Sequence, residues 1–252
     1  MVRRGIDEKE GITRRSFLKG AVGAGTAGFL GVATYGTVRS LFSPDRKLQG
    51  DVLDTFVYVN PQGAALPIWY AEEGLVNTEA RLSQFEVGEG ANVVWKAIRD
   101  SRGNIIPTGL PGLLIRMDED TLDFPQGYPR DDFVMSGLFA VFNCCTHACC
   151  RPSWKLLSRS AYLKDPGYDN VYCPCHDSQY NPRRLFKYRH PVPPDASGAE
   201  YLGIYKEPGL GPADRGMPLI PLELEGDKIV GTVKNAGWYQ YLDFKRAVIS
   251  EE

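Results

Sequence analysis

The chain has 252 residues, of which 43% are hydrophobic and 24% are charged, and its formal net charge is −2. This length is enough for one sizeable domain beyond a short N-terminal region, and the composition is not that of a disordered chain. The charge provides no basic surface for nucleic acid, so we expect no nucleic-acid partner.

The N-terminal region carries an export signal followed by a candidate membrane anchor. Residues Thr13–Lys19 contain an arginine pair followed by Phe-Leu-Lys, which is the pattern of a twin-arginine signal. No charged residue occurs from Gly20 to Val38, and as a helix this stretch would span roughly 28 Å, close to the thickness of a bilayer core. A cleaved signal peptide is the alternative, but no clear A-x-A site precedes Asp51, so we favour a retained anchor in the lipid bilayer.

The predicted organisation is a tail at residues 1–19, a transmembrane anchor at 20–42, a polar linker at 43–50 and a head at 51–252. By the positive-inside rule, the basic residues before the anchor place the N-terminus in the cytoplasm. These residues are Arg3, Arg4, Lys9, Arg14 and Arg15. We therefore expect a single-pass protein of the cell membrane, with its head outside the cytoplasm.

The head is predicted to be mainly β-structure, because its short apolar runs are separated by Gly, Pro and Asp/Asn clusters. The runs are Phe56–Val59, Gly112–Met117, Phe133–Phe142, Leu219–Leu224 and Ile229–Val233. The segment Leu219–Val233, with Glu225–Asp227 at its middle, is predicted to be a hairpin. The stretches 151–172 and 181–210 are predicted to be long loops. They would form either a docking surface for a partner or, as we favour, an elaborated surface.

A window from residue 144 to residue 176 holds all six cysteines and two of the three histidines. It contains a C-x-H pair, Cys145 and His147, and a C-x-x-H pair, Cys173 and His176. Two thiolates and two imidazoles are the ligands of a Rieske [2Fe–2S] centre, where two histidines replace two cysteines on one iron. A tetrahedral zinc site and a plain disulfide framework are the alternatives. His190 lies outside this pattern and is predicted to be a surface residue.

The window resembles the Rieske iron–sulfur proteins of quinol–cytochrome c oxidoreductases of the bc1 and b6f type. Members carry C-T-H-x-G-C in one loop and C-P-C-H-G-S-x-Y in the next, and residues 145–150 and 173–180 of this chain follow both motifs except at positions 149 and 177. Zinc needs only four ligands, which would leave the further cysteines and hydroxyls unexplained. The loop-bridging cysteine pair favours the quinol-oxidising branch over ring-hydroxylating oxygenases and soluble ferredoxins.

The resemblance implies a role for each residue of the motif around one [2Fe–2S] cluster. One iron would be bound by Cys145 and Cys173, and the other by His147 and His176. A disulfide would join Cys150 and Cys175. The hydroxyls of Ser178 and Tyr180 would donate hydrogen bonds to sulfur atoms. Such bonds stabilise the reduced cluster and so raise its potential. The implied fold is an antiparallel β-sandwich with a small cluster-binding subdomain, with a strand at Leu113–Arg116 preceding the cluster and a covering proline loop starting at Gly211–Ala213.

Three departures from the family pattern concern the same two loops. Cys149 and Asp177 each stand where the family has glycine, and Ala148 replaces a bulkier apolar residue that shields the cluster and helps form the quinol-docking surface. The extra Cys144 lies near Cys149, so these two residues either form a second disulfide or are simply small buried side chains. The sequence leaves both possibilities open.

The expected function is that of a membrane-anchored Rieske subunit in a respiratory complex. It would take electrons from quinol beside a cytochrome b-like subunit, with His147 and His176 facing the quinol, and pass them to a c-type cytochrome or a copper protein. One alternative is the small Rieske subunit of an exported oxidoreductase such as arsenite oxidase, where the cluster would accept electrons from a molybdenum site. Another is a stand-alone tethered electron carrier.

Overall fold

The computed structural model describes residues 50–60, 69–154, 170–189 and 200–234. These residues lie in one compact unit, Leu48–Glu252. They form mainly antiparallel β-sheet with little helix, as predicted. Within these ranges no helix has the length and apolar character to cross a membrane. The predicted anchor at 20–42 and the export signal lie outside the described residues.

Fourteen strands and one short helix, α1 (Trp69–Glu72), occur in the described ranges. The strands in chain order are β1 (Asp51–Val52), β2 (Phe56–Tyr58), β3 (Gly90–Trp95), β4 (Ile98–Arg99), β5 (Ile105–Ile106), β6 (Leu110–Arg116), β7 (Leu138–Phe142), β8 (Ser153–Trp154), β9 (Val171–Tyr172), β10 (Gln179–Arg189), β11 (Glu200–Lys206), β12 (Leu219–Ile220), β13 (Leu222–Glu225) and β14 (Lys228–Gly231). Single 3₁₀ turns lie at Leu82–Gln84, Glu119–Thr121 and Arg130–Asp132.

A central antiparallel sheet in the order β12-β7-β6-β3-β2 is buried on both faces. Successive side chains of a strand point to opposite faces, so β6 and β7 contribute to two different cores. One core contains Leu114, Leu138 and Ala140 together with Tyr70, Leu222 and Ile229. The other contains Leu113, Ile115, Phe139 and Val141 together with Trp154, Leu202 and Ile204. Burial on both faces explains why these strands are continuous apolar runs without alternating polar positions.

The second core is closed by a four-stranded sheet in the order β11-β10-β9-β8. Its long pair β10 and β11 has a bulge between Asn181 and Leu185. The prediction of a loop over 181–210 was therefore wrong in part, because residues to Arg189 and from Glu200 to Lys206 are strands. The stretch 151–172 likewise begins and ends in short strands, β8 and β9.

Two other predicted strand segments are shorter in the structure. The hairpin is confirmed for β13 and β14, with Gly226 at φ 65° in its turn, whereas Leu219–Ile220 pairs with β7 instead. Of the run Phe133–Phe142 only β7 is a strand. The residues before it turn through Ser136 and Gly137, both with positive φ. A side chain at 137 would also collide with the Met117 carbonyl oxygen, so glycine is required there.

Candidate metal centre

Two loops carry the cysteine–histidine window, and each leaves a strand that borders the second core. Loop 1 (residues 143–150) follows β7, and loop 2 (residues 173–178) joins β9 to β10. The two loops close with matching backbone hydrogen bonds. The amide of Cys145 donates to the Cys150 carbonyl at 2.9 Å, and that of Cys173 donates to the Ser178 carbonyl at 2.8 Å. The neighbouring strands thus hold two similar turns.

The loops bring together two buried thiols and two exposed imidazoles. Cys145 and Cys173 are free cysteines that are 2% and 0% exposed. His147 and His176 are exposed, with their rings nearly perpendicular and their Nδ1 atoms 3.2 Å apart. Two nitrogen ligands of one tetrahedral metal atom, bound at about 2.1 Å, lie about 3.4 Å apart. The imidazole pair is therefore spaced so that both Nδ1 atoms can bind one metal atom.

The buried thiols share a proton in a way that favours a thiolate at Cys145. A hydrogen bond from the Cys173 thiol lowers the pKa of Cys145, against the opposing effect of burial. The Tyr180 hydroxyl, 3.0 Å from Cys145 Sγ, lowers this pKa further. The pKa of Cys173 is raised because its proton is held by Cys145 and because the thiol is buried. Thiolate is the form of cysteine that binds metals.

Two disulfides surround these free cysteines. Cys150 is bonded to Cys175, which ties loop 1 to loop 2. Cys144 is bonded to Cys149 within loop 1, so of the two possibilities left open by the sequence the structure has the disulfide. The sulfurs of Cys150, Cys173 and Cys175 lie within 4.8 Å of one another. Two of these sulfurs are joined in the inter-loop disulfide, so the trio offers only the thiol of Cys173, whereas Cys145, Cys173, His147 and His176 together offer two thiols and two imidazoles.

A segment at residues 207–215 contacts both loops. The Ser178 hydroxyl oxygen accepts a hydrogen bond from the Ala213 amide at 3.1 Å, which leaves the hydroxyl proton free to be donated. The Thr146 hydroxyl donates to the Arg215 carbonyl at 2.6 Å. Gly211 has a φ of 77°, and any side chain there would collide with the Ser178 backbone. The segment that sequence predicts to start the proline loop thus packs closely on loop 2.

Sequence reasoning missed Lys206, whose ammonium group is hydrogen-bonded to backbone carbonyls of the 207–215 segment. It is 8% exposed, and its Nζ donates to the carbonyls of Glu207, Leu210 and Gly211 at 2.6, 2.8 and 3.3 Å. Burial lowers the pKa of this ammonium group. Its position in a strand whose other side chains are mostly buried was the available signal, because a lysine there has to satisfy its charge inside the protein.

Sequence reasoning also missed a contact of Asp177. The Tyr172 hydroxyl donates a hydrogen bond to Asp177 Oδ1. Burial, followed by this hydrogen bond, raises the pKa of Tyr172 to about 12, so the hydroxyl keeps its proton at neutral pH. Loop 2 therefore carries a carboxylate next to His176 that is already bound by a neutral donor.

Comparison with known proteins finds structural similarity but no matching family model and no curated relative. A solved structure described as a hyperthermophilic respiratory Complex III aligns with 22% sequence identity over 85% of this chain and 98% of that chain, with a TM-score of 0.33. The function is therefore inferred from the two loops themselves.

Proposed function

We propose that this chain is a membrane-anchored Rieske protein that carries electrons from quinol to a cytochrome or copper-protein acceptor. The observation that carries the proposal is the pairing of two buried thiols with two exposed imidazoles whose Nδ1 atoms lie 3.2 Å apart. Cys145 and Cys173 would hold the inner iron of one [2Fe–2S] cluster. His147 and His176 would hold the outer iron.

The burial of the four residues supports a two-iron cluster over a single zinc ion. The cysteines are in the second core, whereas both histidines are at the surface. A cluster with one cysteine-bound and one histidine-bound iron has this same asymmetry, because its ligands are divided between two atoms. A zinc ion would require all four side chains on one atom. The disulfide between the loops also fits a site that must keep a larger group enclosed.

The exposed imidazoles are suited to exchange a proton with quinol. A bound [2Fe–2S] cluster supplies a site for one electron at a time. Because the Nδ1 atoms of His147 and His176 face each other, the Nε2 atoms lie on the far side of each ring, and both residues are exposed. With Nδ1 bound to iron, Nε2 would be the ring atom left to accept a hydrogen bond from a quinol hydroxyl and to take its proton. The buried cysteines remain shielded from solvent.

The membrane setting and the partners are part of this proposal. The twin-arginine pattern and the apolar stretch at 20–42 support an anchored chain with its N-terminus in the cytoplasm and its head outside. The two disulfides support an oxidising compartment for the head. A cytochrome b-like subunit is the partner we propose for quinol oxidation. Identification of the subunits and haems that co-purify with the chain tests this, and a molybdenum subunit in their place would contradict it.

We expect the purified full-length chain to be red-brown and to contain iron and acid-labile sulfide in equal amounts. On reduction it should give the EPR spectrum of a histidine-ligated [2Fe–2S] cluster, because two imidazoles and two thiolates are the protein ligands of such a cluster. A colourless protein that contains zinc and no acid-labile sulfide would contradict the proposal.

Removing either hydroxyl from the cluster environment should lower the potential without removing the cluster. Ser178→Ala removes a hydroxyl whose oxygen accepts from the Ala213 amide and whose proton is left for donation, and Tyr180→Phe removes the hydroxyl 3.0 Å from Cys145 Sγ. Neither change removes a proposed ligand. A hydrogen bond to a charged group contributes about 1.5–3 kcal/mol, and a one-electron couple shifts by about 59 mV for each tenfold change in equilibrium constant. Because only the difference between the two redox states counts, we expect a decrease of several tens of millivolts in a redox titration.

The matched control for these hydroxyl variants is Tyr58→Phe. It removes a tyrosine hydroxyl that is bonded to Gln84 in the other core. Its midpoint potential should equal that of the wild type. Unchanged midpoints in both Ser178→Ala and Tyr180→Phe would show that these hydroxyls do not reach the sulfurs.

A further inference from the structure

Loop 1 and loop 2 each turn through one residue with a left-handed backbone. These residues are Cys149, with a φ of 54°, and Asp177, with a φ of 60°. Each donates its amide N–H to the carbonyl of the free cysteine four residues earlier. The distance is 2.8 Å to Cys145 and 3.1 Å to Cys173. Left-handed backbone is uncommon for residues other than glycine, although aspartate tolerates it better than cysteine does. A further interaction would therefore help to hold each turn.

A side-chain link provides that interaction in both loops. In loop 1, Cys149 is joined to Cys144 by a disulfide. In loop 2, Asp177 accepts a hydrogen bond from the Tyr172 hydroxyl. The linked residues are five positions apart in both cases. The first member of each link also directly precedes the free cysteine of its loop. The hydrogen bond in loop 2 therefore occupies the place that a covalent bond occupies in loop 1.

We propose that Tyr172 and Asp177 form a clamp that positions His176, as the noncovalent counterpart of the Cys144–Cys149 disulfide. Tyr172 is 8% exposed and pairs with a neighbouring strand on each side, so its ring is fixed by the four-stranded sheet. Asp177 directly follows His176, so its backbone angles set the path by which the chain leaves the imidazole. Holding the Asp177 carboxylate on the sheet thus holds the exposed histidine that precedes it.

The clamp deepens the proposed function and rests on it only in treating His176 as an iron ligand. The two loops then differ in how firmly their turns are held. A hydrogen bond can open and re-form, whereas a disulfide stays closed until it is reduced, so loop 2 is held less firmly than loop 1. Weakening the clamp should therefore disturb the environment of His176 before that of His147.

The test uses the full-length chain, purified in detergent, in four variants. Tyr172→Phe removes the donor, and Asp177→Gly removes the acceptor while suiting the left-handed backbone. The double variant combines both changes. Asp177→Asn is the conservative control, because asparagine keeps an acceptor oxygen and tolerates left-handed backbone. The measurements are the rate of cluster loss at a fixed temperature and the g values of the reduced cluster.

We expect Tyr172→Phe to lose the cluster about threefold to tenfold faster, as befits one lost hydrogen bond, and to shift the g values. Asp177→Asn should retain the wild-type g values. In the Asp177→Gly background, Tyr172→Phe should have no further effect, because the acceptor is already absent. An equal effect of Tyr172→Phe in both backgrounds, or no effect in either, would overturn the clamp.

A second readout separates failure of the clamp from failure of the proposed function. The unfolding temperature of the same variants can be measured whether or not the chain holds iron. It should fall for Tyr172→Phe when Asp177 is present and stay unchanged when glycine replaces it. That pattern in a chain without a [2Fe–2S] cluster would support the clamp and contradict the proposed function. Equal unfolding temperatures throughout would overturn the clamp alone.

Discussion

Cys173→Ser is expected to leave the chain without its cluster. Cys173 is 0% exposed and is one of two free cysteines in the described ranges, so no other thiol there can take its place. Serine is close in size, but its hydroxyl does not ionise at neutral pH, whereas a thiolate is needed to hold iron. Iron and acid-labile sulfide should fall to background, and the visible absorption of the cluster should disappear. His147→Ala, His176→Ala and Cys145→Ser are expected to have the same result.

A pair of changes in the same loops provides the control for this loss. Cys144→Ala with Cys149→Gly removes two sulfurs from loop 1 but no ligand, and glycine suits the positive φ at 149. This variant should retain its full content of iron and sulfide. Wild-type content in Cys173→Ser would contradict the ligand assignment. Loss of the cluster in the control would show that cysteine changes disrupt these loops in general.

Removing the disulfide between the loops is the second change from which we expect a large effect. Cys150 and Cys175 are 25 positions apart in the sequence. The loss of a cross-link over that separation costs about 3.5 kcal/mol of unfolding free energy in the chain-entropy model. Cys150→Ala with Cys175→Ala should therefore unfold at a clearly lower denaturant concentration. It should also release its cluster faster, because the loops that carry the two halves of the ligand set are no longer joined.

The short disulfide in loop 1 is the matched comparison. Cys144 and Cys149 are five positions apart, for which the same model gives about 2 kcal/mol. Denaturant unfolding of both double variants, with the rate of cluster release measured in parallel, should rank the inter-loop disulfide as the more important. The reverse order in both measurements would mean that the two loops are held together mainly by their contacts with the 207–215 segment.

The strands could be predicted from the sequence where apolar runs end at turn residues, but their pairing could not. Leu113 and Leu114 are neighbours in one run, yet they enter different cores, because β6 has a buried sheet on each face. A local pattern does not reveal how many layers cover a strand. Strand β10 was missed for a related reason, since its exposed positions and the proline at 182 are typical of loops, and its mostly buried partner β11 was missed with it.

The proximity of the two thiols and two imidazoles was more predictable than the pairing of the strands, because these residues lie at short spacings in two segments of the sequence. The free thiols and imidazoles lie in one pair of loops, where the motif predicts them. The contacts around them were not foreseen. Lys206 and the Tyr172–Asp177 bond depend on which strands are neighbours and on which side chain can reach a given carbonyl or carboxylate. No spacing within the sequence encodes those distances.

The Cys173 sulfur lies close to the inter-loop disulfide, so the order in which iron is bound and the disulfide is formed matters. Its sulfur lies within 4.8 Å of both disulfide sulfurs. Under the proposed function, a chain that lost its iron would keep Cys173 as a thiol, and once this thiol gave up its proton it could attack Cys175 or Cys150, form a new bond to that sulfur and release the other as a thiolate. The product would be a scrambled chain that cannot accept iron. Iron bound to Cys173 would remove this nucleophile, so under the proposed function iron loading before oxidation would protect the correct pairing.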